Sequence, residues 1–332
     1  MEKGRKNIMR EYLIKRIIVS IIILYIVATL NFVIFQVVSP IKPLATVIDP
    51  DFTPEVRDRL LTIYGLNEPL HVRYLKYIKN MFTWNFGVSF VTLGPVVEEL
   101  SWRLPTTILL LGSSLVLTIL VGIPMGILAA SRRGSKLDVL TIGAGLFTWG
   151  VPMFFIQLLF MLAFCFYINI FPVRGIYSTP PPTAPLAYMA DVAWHLALPL
   201  ITLTLGSFGS WALYTRNLLL DALTQDYVVT ARAKGLSERT VLYRHAFRST
   251  LPPVVTMITL SVPGIVTGAM ITEWIFTLPG IGRWYLNSLM AANYPVIQAV
   301  LFIFALLVII CNLVADLLYG VLDPRIRVGA RR

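Results

Sequence analysis

The residue types that most often carry catalysis or bind metals are few and dispersed in this sequence. Its three histidines are His71, His195 and His245, and its two cysteines, Cys165 and Cys311, lie within apolar runs. This spacing predicts neither a zinc site nor a disulfide framework. The sequence also contains no glycine-rich phosphate loop, nucleophile elbow or paired-carboxylate motif. We therefore expect no catalytic residue, no metal site and no cofactor bound by this chain.

Residues 221–253 hold the densest group of charged and hydrogen-bonding side chains, in the sequence DALTQDYVVTARAKGLSERTVLYRHAFRSTLPP. Thr224 can cap a short helix that runs to Lys234. Gly235 suits the left-handed residue that ends such a helix. The first half of this segment is therefore expected to be a short helix that stops at a glycine.

The second half of the segment predicts another short helix. Ser237 can cap this helix, which is expected to reach Arg248 before Pro252 and Pro253 begin the next apolar run. A basic pair of helices can bind a partner protein. From composition alone, the simpler interpretation is a hairpin held at the membrane surface by anionic lipid head groups.

Long apolar runs surround these residues and determine the class of protein. The chain has 332 residues, of which 57% are hydrophobic and 14% are charged, with a formal net charge of +11. An ordinary soluble domain has about 25% charged residues. The charges lie between the apolar runs instead of forming the basic face of a soluble fold, so we expect no nucleic acid partner. The composition predicts an integral membrane protein.

Six apolar runs are long enough to cross a bilayer, which takes about 20 residues per helix. They are residues 17–38, 106–130, 137–171, 195–220, 254–276 and 296–319. The first run is too long for the apolar region of a signal peptide, and no small-residue cleavage site follows it. The predicted fold class is all-α, with six transmembrane helices.

The distribution of charge predicts the orientation in the cell membrane. One side carries 19 basic and 7 acidic residues, whereas the other carries nine of each. Because basic residues accumulate in cytoplasmic loops, both termini are expected in the cytoplasm. The predicted organisation is a cytoplasmic tail (1–16), transmembrane helix 1 (17–38), an extracytoplasmic segment (39–104), a helical core (105–320) with the cytoplasmic segment 221–253, and a cytoplasmic tail (321–332).

The predicted spans hold almost no ionisable side chain. Glu273 lies where the fifth span leaves the membrane, and Asp316 lies in the last turn of the sixth. Proton relays and ion-coupled carriers usually place a carboxylate or a histidine within the membrane. The sequence therefore indicates that the energy for any transport across the membrane is not supplied by ionisable groups of this chain.

Seven short motifs are distributed along nearly the whole sequence. They are EYLIKRII before the first span, TPEVRDRLLTIYGLNEPLHVRYLKYIKNM and NFGVSF after it, HLALP at the start of the fourth, DYVVTARAKGL with RHAFRSTLPPVV after the fourth, TEWIFTLPGIG at the end of the fifth, and LDPR in the tail. In this order they resemble the permease subunits of binding-protein-dependent ABC importers of the dipeptide and oligopeptide class. The segment after the fourth span is similar to the EAA-type loop of that family.

The resemblance implies a type I ABC importer permease fold with coupling helices between helices 4 and 5. It also implies that the chain is not an enzyme, because two cytoplasmic ATPase subunits bind ATP and Mg and hydrolyse the ATP. A second homologous permease would complete the pathway within the membrane lipid, and an extracytoplasmic solute-binding protein would deliver the ligand. The family's loop docks on the ATPase, and the residues carried over for this coupling are Asp226, Tyr227, Thr230, Ala231, Arg232, Ala233, Lys234, Gly235, Leu236, Arg244 and His245.

The substrate stays open at this point. The resemblance favours oligopeptides or dipeptides, while the same class of importer also handles di- and oligosaccharides and nickel. The presence of only four glutamines, together with many isoleucines, hints at a thermophile, where such permeases often carry sugars. A membrane scaffold without transport would account for the spans but not for the motifs.

A few further residues are candidates for contact with the substrate or the binding protein. Trp149 and Trp211 could line the pathway, although such side chains more often pack between helices or anchor at the membrane interface. Glu273 could contact the binding protein or close the pathway, and a structural pairing with Arg283 is an equal alternative. His195 could bind nickel, but a hydrogen-bonded histidine near the membrane interface is the simpler interpretation.

Overall fold

A computed structural model describes the backbone of residues 2–38 and 68–322. Side chains are described at residues 14–37, 68–258, 261 and 270–314. The regular secondary structure of these residues is helical. Val88 and Pro95 form an isolated antiparallel bridge, and the described residues form no β-strand. The predicted all-α class is therefore confirmed for the described residues.

The helices follow one another with short connections. In chain order they are α1 (Glu2–Phe32, continued by the π-helical segment Val33–Val38), α2 (Leu70–Phe82), α3 (Val96–Ser131), α4 (Lys136–Gly150), α5 (Met153–Met161, continued by the π-helical segment Leu162–Tyr167), α6 (Pro185–Leu205), α7 (Phe208–Leu223), α8 (Asp226–Ala233), α9 (Glu238–Thr240, continued by the π-helical segment Val241–Phe247), α10 (Arg248–Ile275), α11 (Ile281–Met290) and α12 (Tyr294–Leu322).

The chain divides into two compact units. Unit 1 contains Met1–Pro105 and Gly280–Val314, and unit 2 contains Thr106–Pro279 and Ala315–Arg332. The apolar core of unit 1 is shared by α1, α2, α11 and α12, and its buried side chains include Phe32, Met81, Trp284 and Val300. Close packing of such side chains stabilises helix contacts within a membrane, where burial from water contributes little.

A pair of buried polar residues joins two connecting segments of unit 1. Asn293 Nδ2 donates to Ser89 Oγ at 2.8 Å, and Phe90 N donates to Asn293 Oδ1 at 2.9 Å. Ser89 and Phe90 belong to the NFGVSF motif, and Asn293 directly precedes α12. The motif is therefore held by the connection before α12, because its buried polar groups find their partners there.

Unit 2 contains a pair of helices that pack very closely, α4 and α7. A Cβ at Gly209 of α7 would lie 2.4 Å from the carbonyl oxygen of Ala144 in α4, so only glycine allows this approach. On its other side, α7 contacts α3, where a Cβ at Gly126 would lie 2.5 Å from Ala212 O. Small residues let helix backbones approach each other in this way in membrane proteins.

The third predicted span, residues 137–171, is wrong as a single helix. Helices α4 and α5 meet at Val151 and Pro152 with a bend of 97°. Proline has no N–H to donate and disfavours a helical conformation of the residue before it. Val151 is accordingly extended, with φ −103° and ψ 123°. The apolar run is continuous in sequence, but the backbone turns within it.

The fourth predicted span, residues 195–220, is also wrong in its bounds. Helix α6 begins at Pro185 and ends at Leu205, and Gly206 and Ser207 separate it from α7. Glycine and serine are unfavourable inside a helix. The backbone N–H groups of Gly206 and Ser207 instead close the last turn of α6. Asp191, in the second turn of α6, interrupts the apolar sequence and conceals the beginning of the helix from a search for apolar runs.

By length and composition, four described helices could cross a membrane. They are Ile14–Val37, Val96–Ser131, Pro185–Leu205 and Tyr294–Val314, and the bent pair α4–α5 would make a fifth. The predicted count of six is not reached among the residues whose side chains are described. Within the predicted extracytoplasmic segment 39–104, residues 39–67 lie outside the described residues, and the rest holds α2 and the first turns of α3.

Candidate functional site

The predicted turn at Gly235 is confirmed. Gly235 has a φ of +73°, a left-handed conformation that side chains with a Cβ adopt at a free-energy cost. Its N–H donates to Arg232 O at 2.9 Å, which closes the end of α8. A Cβ at this position would meet no atom within 4 Å, so the backbone conformation alone calls for glycine.

The predicted start of α8 is wrong by one residue. The helix begins at Asp226 with Gln225 as the capping residue, and Thr224 instead ends α7. The hydroxyl of Thr224 donates to Asp221 O at 2.8 Å, so it bonds back to the preceding helix. A threonine hydroxyl between two helices can bond to the last carbonyls of the first or to the first N–H groups of the second. Here it bonds to a carbonyl of α7.

The two sides of the Gly235 turn are joined by a charged pair. Arg232 Nε donates to Glu238 Oε1 at 2.9 Å, and its Nη2 lies 3.3 Å from Oε2. Ser237 caps α9, as predicted, by accepting from Thr240 N at 3.4 Å. The turn is therefore fixed by a left-handed glycine, a serine cap and a two-point ion pair.

The predicted end of the second helix at Arg248 is wrong, because α9 runs through its π-helical segment directly into α10. The hydroxyl groups of Ser249 and Thr250 donate to Ala246 O at 2.7 Å and to Phe247 O at 2.8 Å. Hydroxyl bonds and local π-helical geometry allow a membrane helix to continue through proline. Pro252 and Pro253 therefore lie within a continuous helix.

Helix α8 packs on unit 2 through one narrow face. Val228 and Ala231, three residues apart, are buried with Leu219, Ala222 and Val241 in one apolar cluster. A spacing of three places both side chains on the same side of the helix. The remaining side chains of α8 are exposed, and among them the Tyr227 hydroxyl lies 2.6 Å from Ser249 Oγ of α10.

The predicted coupling residues divide into an exposed and an inward set. Those exposed are Asp226, Tyr227, Thr230, Arg232, Ala233, Lys234, Gly235, Leu236 and Arg244, while His245 is half-buried and Ala231 is buried. Ala231 therefore packs α8 against the apolar cluster of unit 2. Val229 and Tyr243 are exposed beside the predicted coupling residues, at 56% and 47%, but the motif did not include them. The inward pair Val228 and Ala231 could have revealed Val229, since it lies on the opposite face.

A second charged pair links helices α4 and α7. Arg216 of α7 donates from Nε to Asp138 Oδ1 and from Nη2 to Oδ2, the latter at 3.0 Å. The side chains of Arg216 and Asp138 are only 13% and 4% exposed. Gly134 N donates to the same carboxylate at 2.8 Å. Asp138 thus joins the connection after α3 to α4 and α7.

The other candidate residues have different surroundings. Trp211 is 4% exposed, and a Cβ at Gly122 would lie 2.6 Å from its Cβ, so it is a packing residue within unit 2. Trp149 is 82% exposed. Glu273 is fully buried and accepts a hydrogen bond from Thr107 Oγ1 at 2.6 Å.

His195 is buried and its Nδ1 lies 2.8 Å from Asp191 O. Because a carbonyl oxygen only accepts hydrogen bonds, Nδ1 carries a proton and donates. Among the described residues, no group of three or more His, Cys, Asp or Glu side chains is placed to hold a metal ion. The hydrogen-bonded state predicted for His195 matches this geometry.

Comparison with known families covers most of the chain. A family model described as "Binding-protein-dependent transport system inner membrane component" matches residues 122–328. A second, described as "Binding-prot-dependent transport system membrane comp, N-term", matches residues 9–111.

Curated relatives extend over the same length. The chain is 37% identical over 319 residues to the oligopeptide transport system permease protein AppB of Bacillus subtilis, with 96% of this chain and 99% of that protein covered. It is 34% identical over 320 residues to the dipeptide transport system permease protein DppB of Lactococcus lactis, covering 96% and 100%. With DppB of Escherichia coli K12 the identity is 35% over 292 residues, covering 83% and 86%.

A solved structure has the same fold. The chain is similar to a chain of the MetNI methionine ABC transporter in an inward facing conformation, with a TM-score of 0.53. The sequence identity is 15%, and the match covers 68% of this chain and 96% of the other.

Proposed function

Because the chain belongs to the family of binding-protein-dependent transport system inner membrane components, and is thus a permease subunit of an ABC importer, we propose that it forms half of a pathway for oligopeptides or dipeptides. The observation that carries this proposal is the identity of 34–37% to peptide permeases over 96% of the chain. Import of di- or oligosaccharides is the second candidate, suggested by the amino-acid composition. Nickel is a weaker candidate, since the described residues bring no metal-binding cluster together.

The energy for transport comes, in this proposal, from two partner ATPases that bind ATP and Mg. Its support within the chain is the exposed face of α8, where Tyr227, Val229 and Lys234 project from a helix anchored on its other side. A small, firmly supported protrusion of apolar and charged side chains is well suited to fit a cleft on another protein. A second permease would complete the pathway, and an extracytoplasmic binding protein would supply the ligand.

We further propose that six helices span the cell membrane, with α10 as the span beyond those found by length and composition. Helix α10 has 28 residues, enough to cross a bilayer of about 30 Å. Both termini would then lie in the cytoplasm, together with α8 and α9. The excess of basic residues on that side supports this orientation.

The test is reconstitution of the complete importer. The chain, its partner permease, the ATPases and the binding protein are placed in proteoliposomes, and uptake of labelled di-, tri- and pentapeptides is compared with uptake of labelled maltotriose. Saturable peptide uptake that requires ATP and the binding protein is expected. Uptake of the oligosaccharide alone would overturn the peptide assignment.

Two controls separate the remaining alternatives. Identification by mass spectrometry of the ligand that copurifies with the binding protein gives an independent result for the substrate. The chain reconstituted alone should take up neither peptide nor sugar under a proton or sodium gradient. Gradient-driven uptake by the chain alone would contradict the ABC mechanism, and an assembled complex without any uptake would favour the scaffold.

A further inference from the structure

A basic cavity lies beside the Gly235 turn, on the side of unit 2 that we propose to be cytoplasmic. Its volume is about 650 Å³, and it is formed by the end of α3, the end of α7 and the first part of α9. Four arginines and one acidic residue line it, namely Arg132, Arg133, Arg232, Arg239 and Glu238. A cavity of this size is within the range that binds small ligands.

The residues around this cavity carry more positive than negative charge, although the Asp138 carboxylate partly offsets Arg133. Glu238 forms an ion pair with Arg232, so the acid and one of the cations neutralise each other. For Arg132, Arg133 and Arg239, the part of the chain that the structure describes provides no ion pair. Three guanidinium groups around one cavity attract a phosphate group, which they can bind through paired hydrogen bonds.

Apolar side chains also line the cavity. Leu220, Leu223 and Leu242 are part of its wall, together with the polar residues Ser131, Thr224 and Tyr243, and each of the three leucines is partly exposed. A free phosphate ion gains nothing from such a wall. A phospholipid head group, in contrast, would place its phosphate on the arginines and its glycerol and first methylene groups on the leucines.

The cavity also lies at the end of a candidate membrane span. Its lining includes Ala130 and Ser131, the last two residues of that span. Along that span, Leu117, Val121 and Leu128 are exposed and lie on one face of α3, since they are separated by four and seven residues. Arg132 follows one further turn along this face. An acyl chain lying on these side chains would therefore lead its head group to the arginines.

We propose that this cavity binds the head group of an anionic phospholipid, with Arg132, Arg133 and Arg239 on the phosphate. The proposal goes beyond the transport function, because it concerns a ligand that is not carried across the membrane. Arg232 and Glu238 form part of the same wall on either side of Gly235. A bound lipid would therefore stabilise the arrangement of α8 and α9.

The test uses the complete importer in nanodiscs of phosphatidylcholine with increasing phosphatidylglycerol. Lipid retained by the purified complex is measured by native mass spectrometry. The variant R132Q/R133Q/R239Q is expected to bind phosphatidylglycerol about a hundredfold more weakly, because each of the three basic residues contributes roughly a factor of five to the affinity for anionic lipid. The matched control is Arg248→Gln, which removes an exposed arginine of the same region that does not line the cavity, and it should bind lipid as the wild type does.

Two further measurements distinguish the possible sources of the anionic group. Inorganic phosphate and glycerol phosphate at millimolar concentration should leave the bound lipid in place, since they make no contact with the leucines. Displacement by inorganic phosphate alone would overturn the assignment to a lipid. So would a triple variant that retains phosphatidylglycerol but loses the ATPase subunits, because the arginines would then serve the protein interface.

The functional consequence is measured in the same nanodiscs. ATP hydrolysis by the wild-type complex should increase with the fraction of phosphatidylglycerol, and that of the triple variant should not respond. An equal response of both would contradict a lipid site at this position. The lipid measurements require no substrate, so their outcome is independent of whether the importer carries peptides.

Discussion

Arg232 and Glu238 meet across the left-handed Gly235, with Nε 2.9 Å from Oε1. Their side chains are 42% and 72% exposed, so water and salt screen the attraction. An exposed pair of this kind contributes about 0–1 kcal/mol. The shape of the turn therefore depends mainly on the backbone conformation of Gly235 and only slightly on the ion pair.

The first prediction concerns Gly235→Val. A Cβ in a left-handed residue costs about 1–2 kcal/mol, so the turn is expected to change its conformation and direct the exposed face of α8 away from the ATPase. The chain should still reach the membrane in near-normal amount, while copurification of the ATPases and substrate-stimulated ATP hydrolysis fall at least severalfold.

Gly87→Val is the matched control for this variant. Gly87 has a φ of +79°, and a Cβ there would also meet no atom within 4 Å, but it belongs to unit 1 and lies outside the α8–α9 segment. Its backbone strain should be similar, while ATPase association should persist. Equal losses in both variants would mean that strain alone, and not the position of α8, explains the effect.

The second prediction concerns the ion pair of Asp138 and Arg216. Removing one partner of a nearly buried pair leaves an uncompensated charge and is expected to lower the free energy of unfolding by about 3–5 kcal/mol. Asp138→Leu and Arg216→Met should each lower the thermal unfolding temperature of the detergent-solubilised complex by several degrees. The double variant should be more stable than either single variant, and a double variant with the summed loss would contradict this account.

The third prediction tests the close contact of α4 and α7. Gly209→Ala is expected to destabilise unit 2 by about 1–3 kcal/mol, because its Cβ would lie 2.4 Å from Ala144 O. Gly143→Ala in α4 meets no atom within 4 Å and should stabilise the helix by roughly 0.5–1 kcal/mol. Thermal unfolding followed by loss of native fluorescence compares the two, and the prediction fails if both variants shift in the same direction.

The fourth prediction concerns orientation. Cysteines are introduced at Val91, which is 61% exposed, and at Ser237, in a chain whose Cys165 and Cys311 are replaced by alanine. A membrane-impermeant maleimide should label position 91 in intact cells and position 237 only after the membrane is opened. Labelling of position 237 from outside would reverse the proposed topology.

Several local features could be predicted from sequence because a few adjacent residues determine them. Gly235 ends α8 and Ser237 caps α9, since glycine and serine satisfy those backbone groups whatever packs around them. Thr224 could cap either the end of α7 or the start of α8, and the neighbouring residues do not determine which of the two it caps.

The breaks within apolar runs could not be predicted in the same way. Hydropathy measures the solvent that a segment prefers, and both sides of the bend at Pro152 prefer lipid or a protein interior. The continuity of α9 and α10 likewise depends on π-helical geometry and on the hydroxyl groups of Ser249 and Thr250. Such features arise from three-dimensional bonding patterns that a count of apolar residues does not contain.

The continuity of α9 and α10 has a mechanical consequence. Residues 238–275 form one uninterrupted rod, which at 1.5 Å per residue is about 55 Å long and exceeds the thickness of the bilayer core. At its far end, Glu273 accepts from Thr107 Oγ1, and Thr272 accepts from Gln157 Nε2 at 2.7 Å. A displacement of the turn at Gly235 would therefore be transmitted along this continuous helix to α3 and α5, about 50 Å away.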